Sequence, residues 1–127
     1  MNHIGERKIN VLVIDPDEEF AHDVKMFLED TYCVNIKPTI DKLDYSNTLD
    51  HVNVIIIAIE FLSKDFINLI EQLRKKHENI KIISMYTYIT SDKELEHKLI
   101  EYSDDIITKP FDVTLLKNKL DSFLISA

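Results

Sequence analysis

Residues 9–19 read INVLVIDPDEE. The first six of these are apolar at every position but Asn10, which is typical of a parallel strand that is buried on both faces. We expect the strand to end at Asp15, because Pro16 fixes the backbone angle φ where a helix can begin. The acids that follow suit the positive end of a helix dipole, and apolar residues then recur at helical spacing. The stretch therefore predicts a strand followed directly by a helix.

The same pattern recurs along the sequence, and no linker, repeat or low-complexity tract divides it. The run VIIIAI at 54–59 is the strongest strand signal, since β-branched residues suit a strand buried on both sides. Further strands are predicted at 32–36, 80–85 and 106–107. The polar stretch 41–50 predicts a weak short helix at most. Five strand-helix units in one chain predict an α/β fold with a parallel sheet.

Three local patterns concern the helices. Ser91 and Glu94 form a capping box, which predicts that a helix begins there. Asp112 is predicted to cap the last helix. The charged run Arg74 to Lys76 is interpreted as the solvated face of a helix.

Composition limits the organisation and the partners. The chain has 127 residues, 45% of them apolar, which predicts one domain over 1–127 with its core at about 8–125. The net charge of −8 disfavours nucleic acid and anionic membranes and favours a protein partner. The amino terminus has no signal-peptide pattern, so a cytoplasmic protein is expected. The single cysteine, Cys33, is interpreted as a buried core thiol.

Two motifs carry a resemblance to a known family. One is VLVID at 11–15 with its acidic helix start, and the other is DDIITKPF at 104–111 before the last helix. At this spacing the chain resembles the receiver domain of bacterial response regulators. The resemblance implies a flavodoxin-like, doubly wound (βα)5 fold, a three-layer sandwich with a five-stranded parallel sheet in the order 2-1-3-4-5.

In that family, as the resemblance implies, two acids after the first strand hold Mg²⁺ and an aspartate ending the third strand accepts phosphate. Here the first acid maps to Asp15, but the second maps to Pro16, and Asp17 is a doubtful substitute. The phosphoacceptor position maps to Ala58, whose methyl group can neither attack a phosphoryl donor nor bind a metal. A degenerate receiver, or pseudo-receiver, is therefore expected, and Mg²⁺ binding should be weak or absent.

The other pocket positions are altered in part. The hydroxyl that ends the fourth strand in the family maps to Tyr86, with Thr87 just after it, and Tyr86 is expected to fill the vacated pocket. Lys109 stands where the family has its lysine, and an ion pair with Asp15 is its expected role. The aromatic residue of the fifth strand maps to Ile106, so the family's rotamer switch is expected to be missing.

These features predict a module for signal transduction that binds a protein without phosphorylation, needs no cofactor and is not an enzyme. The resemblance implies that a partner, or a second copy in a homodimer, would dock on the face made by the last two helices and the fifth strand. Candidate interface residues on that face are Ile89, Leu95, Leu99, Ile106, Lys117 and Asp121.

Two other functions stay open. One is a Mg²⁺-dependent receiver that is phosphorylated on a non-standard carboxylate, Glu60 or Asp17. Glu60 lies two residues beyond Ala58 and so on the same face of an extended chain. The other is a small ligand bound at the carboxyl ends of the strands, as in other doubly wound sheets.

Overall fold

A computed structural model describes residues 9–39, 49–86, 92–108 and 112–125. Its five strands form one parallel sheet in the order β2-β1-β3-β4-β5, which confirms the predicted strand order. The strands are β1 (Ile9–Ile14), β2 (Tyr32–Lys37), β3 (Val54–Ile59), β4 (Lys81–Tyr86) and β5 (Asp105–Thr108). The predicted strands therefore all exist: β1 and β3 have the predicted ends, and the ends of the other three strands differ by at most one residue.

Four helices lie within the described ranges, and they are α1 (Glu18–Leu28), α2 (Lys64–Lys76), α3 (Lys93–Tyr102) and α4 (Val113–Ile125). The weak helix predicted at 41–50 falls largely outside the described residues. No helix in the described part of the chain is long and apolar enough to cross a membrane.

The core consists of side chains on both faces of the sheet, since neighbouring residues of a strand point to opposite sides. On one face, strand residues such as Val13 and Ile56 pack against α1 and α4. On the other face, Leu12 and Ile55 pack in the cluster that contains α2 residues, and Leu99 of α3 packs in a neighbouring cluster. The two layers of helices and the sheet between them make the predicted three-layer sandwich.

Three local predictions are corrected. The helix α3 is capped by Asp92, whose carboxylate accepts hydrogen bonds from the backbone N–H groups of Glu94 and Leu95, and not by Ser91. Cys33 is exposed, because β2 is an edge strand and Cys33 alternates with the buried Tyr32 and Val34. Arg74 is not a purely solvated residue, since its side chain is only 22% exposed.

The amino-terminal cap of the last helix was predicted correctly. The carboxylate of Asp112 accepts a hydrogen bond from the backbone N–H of Thr114 at 2.8 Å. This bond satisfies one of the unpaired donors of the first helical turn, and it holds the pKa of Asp112 below its ordinary value.

Candidate functional site

The carboxyl ends of the strands place several predicted site residues at one edge of the sheet. Ile14 of β1 pairs with Ile57 of β3, so Asp15 and Ala58 each lie one residue beyond this pair. Ala58 pairs in turn with Met85 of β4. The geometry therefore brings the first-strand acid and the third-strand alanine side by side.

The carboxylates of Asp15 and Asp17 accept different hydrogen bonds. Asp15 is 1% exposed, and its carboxylate accepts a hydrogen bond from the backbone N–H of Asp17 at 2.9 Å. The carboxylate of Asp17 points to the helix and accepts from the N–H of Phe20 at 3.1 Å, which makes it the amino-terminal cap of α1. Because Pro16 between them has no side-chain oxygen, the loop offers one buried carboxylate and one that already caps a helix.

Ala58 and Glu60 lie in different environments. Ala58 is half-buried in β3 and packs against the cluster that includes α1 and α4. Glu60 follows the end of β3 and is exposed to solvent. A carboxylate is thus present two residues beyond Ala58, outside the regular strand.

Tyr86 does not occupy the position that the sequence suggested. It pairs with Ile59, and it packs with Ile59 and Leu99 in the cluster on the α3 side of the sheet. Ala58 packs on the opposite side, so Tyr86 does not fill space around Ala58 and the prediction of a plug is wrong. Thr87 and Lys109, with the expected pair between Lys109 and Asp15, lie outside the described residues.

The side-chain donors at this edge suit a magnesium ion poorly. Mg²⁺ requires near-octahedral oxygen coordination and is usually held by one or two carboxylates together with waters and substrate phosphates. Pro16 and Ala58 provide no side-chain oxygen, and one oxygen of Asp15 already accepts a backbone hydrogen bond. Within the described ranges, no three His, Cys, Asp or Glu side chains gather as metal ligands do.

Comparison with solved structures identifies the fold of this chain. No protein-family model and no curated protein matches the sequence. Solved structures do match. A CheY-like receiver domain protein from Methanospirillum hungatei JF-1 aligns with a TM-score of 0.80 and 21% identity, over 94% of this chain and 96% of that one. The fold is that of a response-regulator receiver domain.

Two other structures have similar scores. A response regulator from Thermotoga maritima aligns with a TM-score of 0.78 and 22% identity, over 95% of this chain and 100% of that one. A pilus assembly-related protein from Burkholderia pseudomallei K96243 aligns with a TM-score of 0.77 and 19% identity, over 96% and 93%. At these identities the likeness shows a common receiver fold and nothing finer.

The candidate interface residues are separated on this receiver fold. Leu99 is completely buried, so the prediction that it is available to a partner is wrong. Leu95 and Ile106 are half-buried and pack at the margin of the same cluster. Ile89 lies outside the described residues. On the described part of this face, Ile106 and Leu95 therefore remain the apolar candidates among those predicted.

Lys117 and Asp121 lie toward the other edge of the sheet. Lys117 Nζ is 2.9 Å from Asp121 Oδ2, and the other oxygen of Asp121 accepts a hydrogen bond from the hydroxyl of Tyr32 on β2. The Lys117 ammonium, and after it the Tyr32 hydroxyl, hold the pKa of Asp121 below its ordinary value. Since β2 and β5 are opposite edge strands, this pair does not share a face with β5.

Asp104, just before β5, and Asp105, the first residue of β5, form contacts that the sequence did not predict. Asp104 Oδ2 accepts from Arg74 Nη2 and from the backbone N–H of Ile82, each at 2.7 Å. Asp105 Oδ2 lies 2.7 Å from Lys119 Nζ of α4. The sequence could not indicate these contacts, because the partners of Asp104 and Asp105 are 14 or more residues away in the chain. It showed only that both acids lie at the start of a predicted strand.

Proposed function

We propose that this chain is a degenerate receiver domain that acts in signal transduction through protein–protein interaction without being phosphorylated, and that it is not an enzyme. The observation that carries the proposal is Ala58, half-buried at the end of β3 beside the buried Asp15. Phosphoryl transfer to a receiver needs a nucleophilic carboxylate at that point, and an alanine side chain has no nucleophilic atom.

The loop after β1 supports the same proposal. The carboxylate of Asp17 caps α1, so binding a metal there would break the hydrogen bond to the N–H of Phe20. Loss of an amino-terminal cap destabilises a helix by about 1 kcal/mol. We therefore expect Mg²⁺ binding to be weak or absent and no cofactor to be needed.

The proposed binding surface lies along α3 and β5. Ile106 and Leu95 are half-buried there, and Ile100 on α3 is 56% exposed. Apolar side chains at an edge strand favour a partner that covers them. The net charge of −8 makes a protein with basic groups a better partner than nucleic acid or an anionic membrane. A second copy of the chain is one protein that could dock there, and a cytoplasmic location is expected.

One observation favours a second function. Glu60 is exposed at the same edge, where a small phosphodonor could reach it. A receiver phosphorylated on Glu60, or on Asp17 after release from the helix cap, would still act as a Mg²⁺-dependent switch. We rank this function second because the acceptor carboxylate must lie close to the metal and in line with the phosphodonor. The position of Glu60, beyond the end of β3, does not favour this geometry.

Intact-mass spectrometry after incubation with Mg²⁺ and acetyl phosphate separates the two functions. The native chain is expected to gain no phosphoryl group. The double variant Pro16→Asp with Ala58→Asp restores both missing carboxylates and is expected to gain one. Ala58→Asn in place of Ala58→Asp is the matched control, since it has the same shape without a nucleophilic oxygen.

A phosphoryl adduct on the native chain would overturn the proposal. Glu60→Gln and Asp17→Asn would then identify the acceptor, because only the variant that lacks it would lose the adduct. The interaction itself is tested by sedimentation of the native chain over a range of concentrations and by binding to candidate protein partners with and without acetyl phosphate. Binding that requires acetyl phosphate would also count against the proposal.

A further inference from the structure

The helix α1 carries two large apolar side chains on its surface. Met26 is 72% exposed and Phe27 is 42% exposed, and both lie in the carboxyl-terminal half of the helix. The core side of α1 is formed by Ala21, Val24 and Leu28, which are completely buried. Met26 and Phe27 therefore offer apolar surface that another molecule can reach and cover.

Two carboxylates flank this apolar pair at helical spacing. Asp23 lies three residues before Met26, and Asp30, just past the end of the helix, lies three residues after Phe27. Residues three and four positions apart are neighbours on a helix surface, so the four side chains share one stripe. Both aspartates are exposed, and neither forms an ion pair with another described residue. We call Asp23, Met26, Phe27 and Asp30 the α1 patch.

Most of the net charge of the chain is concentrated around this patch. Residues 17–30 contain six acids and one lysine, which gives a net charge of −5 out of the −8 of the whole chain. Asp30 also lies beside the carboxyl end of α1, where the helix dipole is negative and a carboxylate is unfavourable. A cation that approaches from outside would be attracted by this carboxylate and by the dipole together. The surface therefore favours a positively charged partner.

We propose that the α1 patch docks a basic amphipathic helix of a partner protein. Apolar side chains of that helix would cover Met26 and Phe27, and lysine or arginine side chains one turn to either side would lie beside Asp23 and Asp30. An amphipathic helix presents its apolar residues at the same spacing of three and four positions. Methionine suits such a contact because its flexible, polarisable side chain adapts to the surface that it meets.

Charge and apolar area together select this occupant. A second copy of the chain that docked through the same face would bring a like charge of −5 against it, and nucleic acid or an anionic membrane would be repelled in the same way. A small cation could approach Asp23 or Asp30, but it would leave the side chains of Met26 and Phe27 in water. A helix with both apolar and basic residues matches both features.

The α1 patch is separate from the surface along α3 and β5. The inward side of α1 packs in the cluster on one face of the sheet, and Leu99 of α3 packs in a cluster on the opposite face. A protein bound at one surface therefore does not cover the other. The inference thus goes beyond the proposed function, because it adds a second partner of stated chemistry that the chain could hold beside the first.

The proposal is tested by nuclear magnetic resonance on the ¹⁵N-labelled full chain. The probe is a blocked helical peptide of about 15 residues, built from leucine, lysine and alanine, with the leucines along one side and the lysines beside them. One control peptide has the same residues in an order that spreads the leucines around the helix, and another has glutamate in place of lysine. The probe is expected to shift amide signals near Met26 in a saturable way, and both controls should bind roughly tenfold more weakly or worse.

Exposed residues on other helices provide matched control variants. Met26→Gln should weaken binding of the probe roughly tenfold, whereas Ile100→Gln, at a 56% exposed position on α3, should change it less than about twofold. Asp30→Asn should weaken binding roughly threefold, and Asp65→Asn, at an exposed position on α2, should again change it less than about twofold. All four positions are exposed, so the variants are expected to keep the native circular dichroism spectrum.

Four outcomes would overturn the proposal. Equal binding of the probe and the reordered peptide, or equal effects of Asp30→Asn and Asp65→Asn, would mean only general attraction to an acidic chain. Saturable shifts confined to α3 and β5 would assign the basic helix to the other surface. Concentration-dependent dimers that Met26→Gln dissociates would identify a second copy of this chain as the occupant. The phosphorylation assay is independent, so failure here with no phosphoryl adduct on the native chain would leave the proposed function standing.

Discussion

Replacing Arg74 with methionine should be among the most damaging single changes outside the apolar core. The guanidinium of this α2 residue joins three other segments of the chain. Its Nη1 donates to the carbonyl oxygen of Ile80 at 2.8 Å, its Nη2 donates to that of Tyr102 at 3.0 Å, and Nη2 also donates to Asp104 Oδ2 at 2.7 Å. One side chain therefore ties the end of α3 and the segments that precede β4 and β5 to α2.

The size of the effect follows from these bonds. A hydrogen bond from a charged donor contributes about 1.5–3 kcal/mol when it is protected from water. Arg74 is 22% exposed and Asp104 is 25% exposed, so water can replace part of each bond. Methionine keeps the apolar stem but leaves three carbonyl oxygens, those of Glu78, Ile80 and Tyr102, without this donor. We expect a loss of about 3 kcal/mol in the free energy of unfolding, which lowers Tm by ~10 °C in a domain of this size.

The measurement is urea unfolding followed by far-ultraviolet circular dichroism, because the chain has no tryptophan to report by fluorescence. Lys75→Met is the matched control. Lys75 is 73% exposed and lies 3.7 Å from Glu71, so its loss should cost less than about 0.5 kcal/mol. Arg74→Lys keeps the charge but not the planar fork of donors, and it should behave like Arg74→Met.

A double-mutant cycle with Asp104→Asn separates the ion pair from the carbonyl contacts. If Arg74→Met and Lys75→Met cost the same, the contacts described here do not stabilise the fold. If Arg74→Lys restores full stability, the charge alone is responsible and the reasoning about the fork is refuted.

The cap of α1 and the ion pair of α4 can be tested in the same unfolding assay. Asp17→Ala should cost about 1 kcal/mol by removing the helix cap, while Asp23→Ala, on the exposed side of the same helix, should stay within about 0.5 kcal/mol of the native value. Asp121 has a lowered pKa in the folded state, owing to Lys117 and then Tyr32, so it stabilises the fold above the unfolded pKa near about 4 and loses this effect as the pH falls. The stability gap between the native chain and Asp121→Asn should therefore shrink from pH 7 to pH 3, and a gap that does not depend on pH would contradict this assignment.

The strands were predictable from the sequence because a strand that is buried on both faces contains few polar residues. The run at β3 is buried at every position but Ala58, and β1 is buried over its last four residues. Their ends were less predictable, since a parallel ladder continues wherever a neighbour is present. Tyr86 pairs with Thr108, and this pairing extends β4 by one residue beyond the predicted end.

Side-chain directions required the structure. Tyr86 was assigned to the pocket at Ala58 by its position in the sequence, but the register of β3 against β4 turns it to the opposite face. The apolar spacing of α3 showed that Leu99 belongs to a stripe without showing that the stripe is buried under its neighbours. Arg74 looked like its two lysine neighbours, because its partners lie in distant segments.

The carboxyl edge of the sheet explains how the site can differ from that of a phosphorylated receiver while the fold is retained. The apolar clusters that stabilise the sheet involve α1, α4 and α2 on its two faces, and Ala58 contributes only at the margin of one of them. A cluster of carboxylates at this edge would repel one another unless a cation neutralised them. Pro16 and Ala58 add no carboxylate beside Asp15, whose own carboxylate accepts a backbone hydrogen bond. This arrangement lowers the electrostatic demand for a cation and supports the proposal that the chain keeps a receiver fold without Mg²⁺.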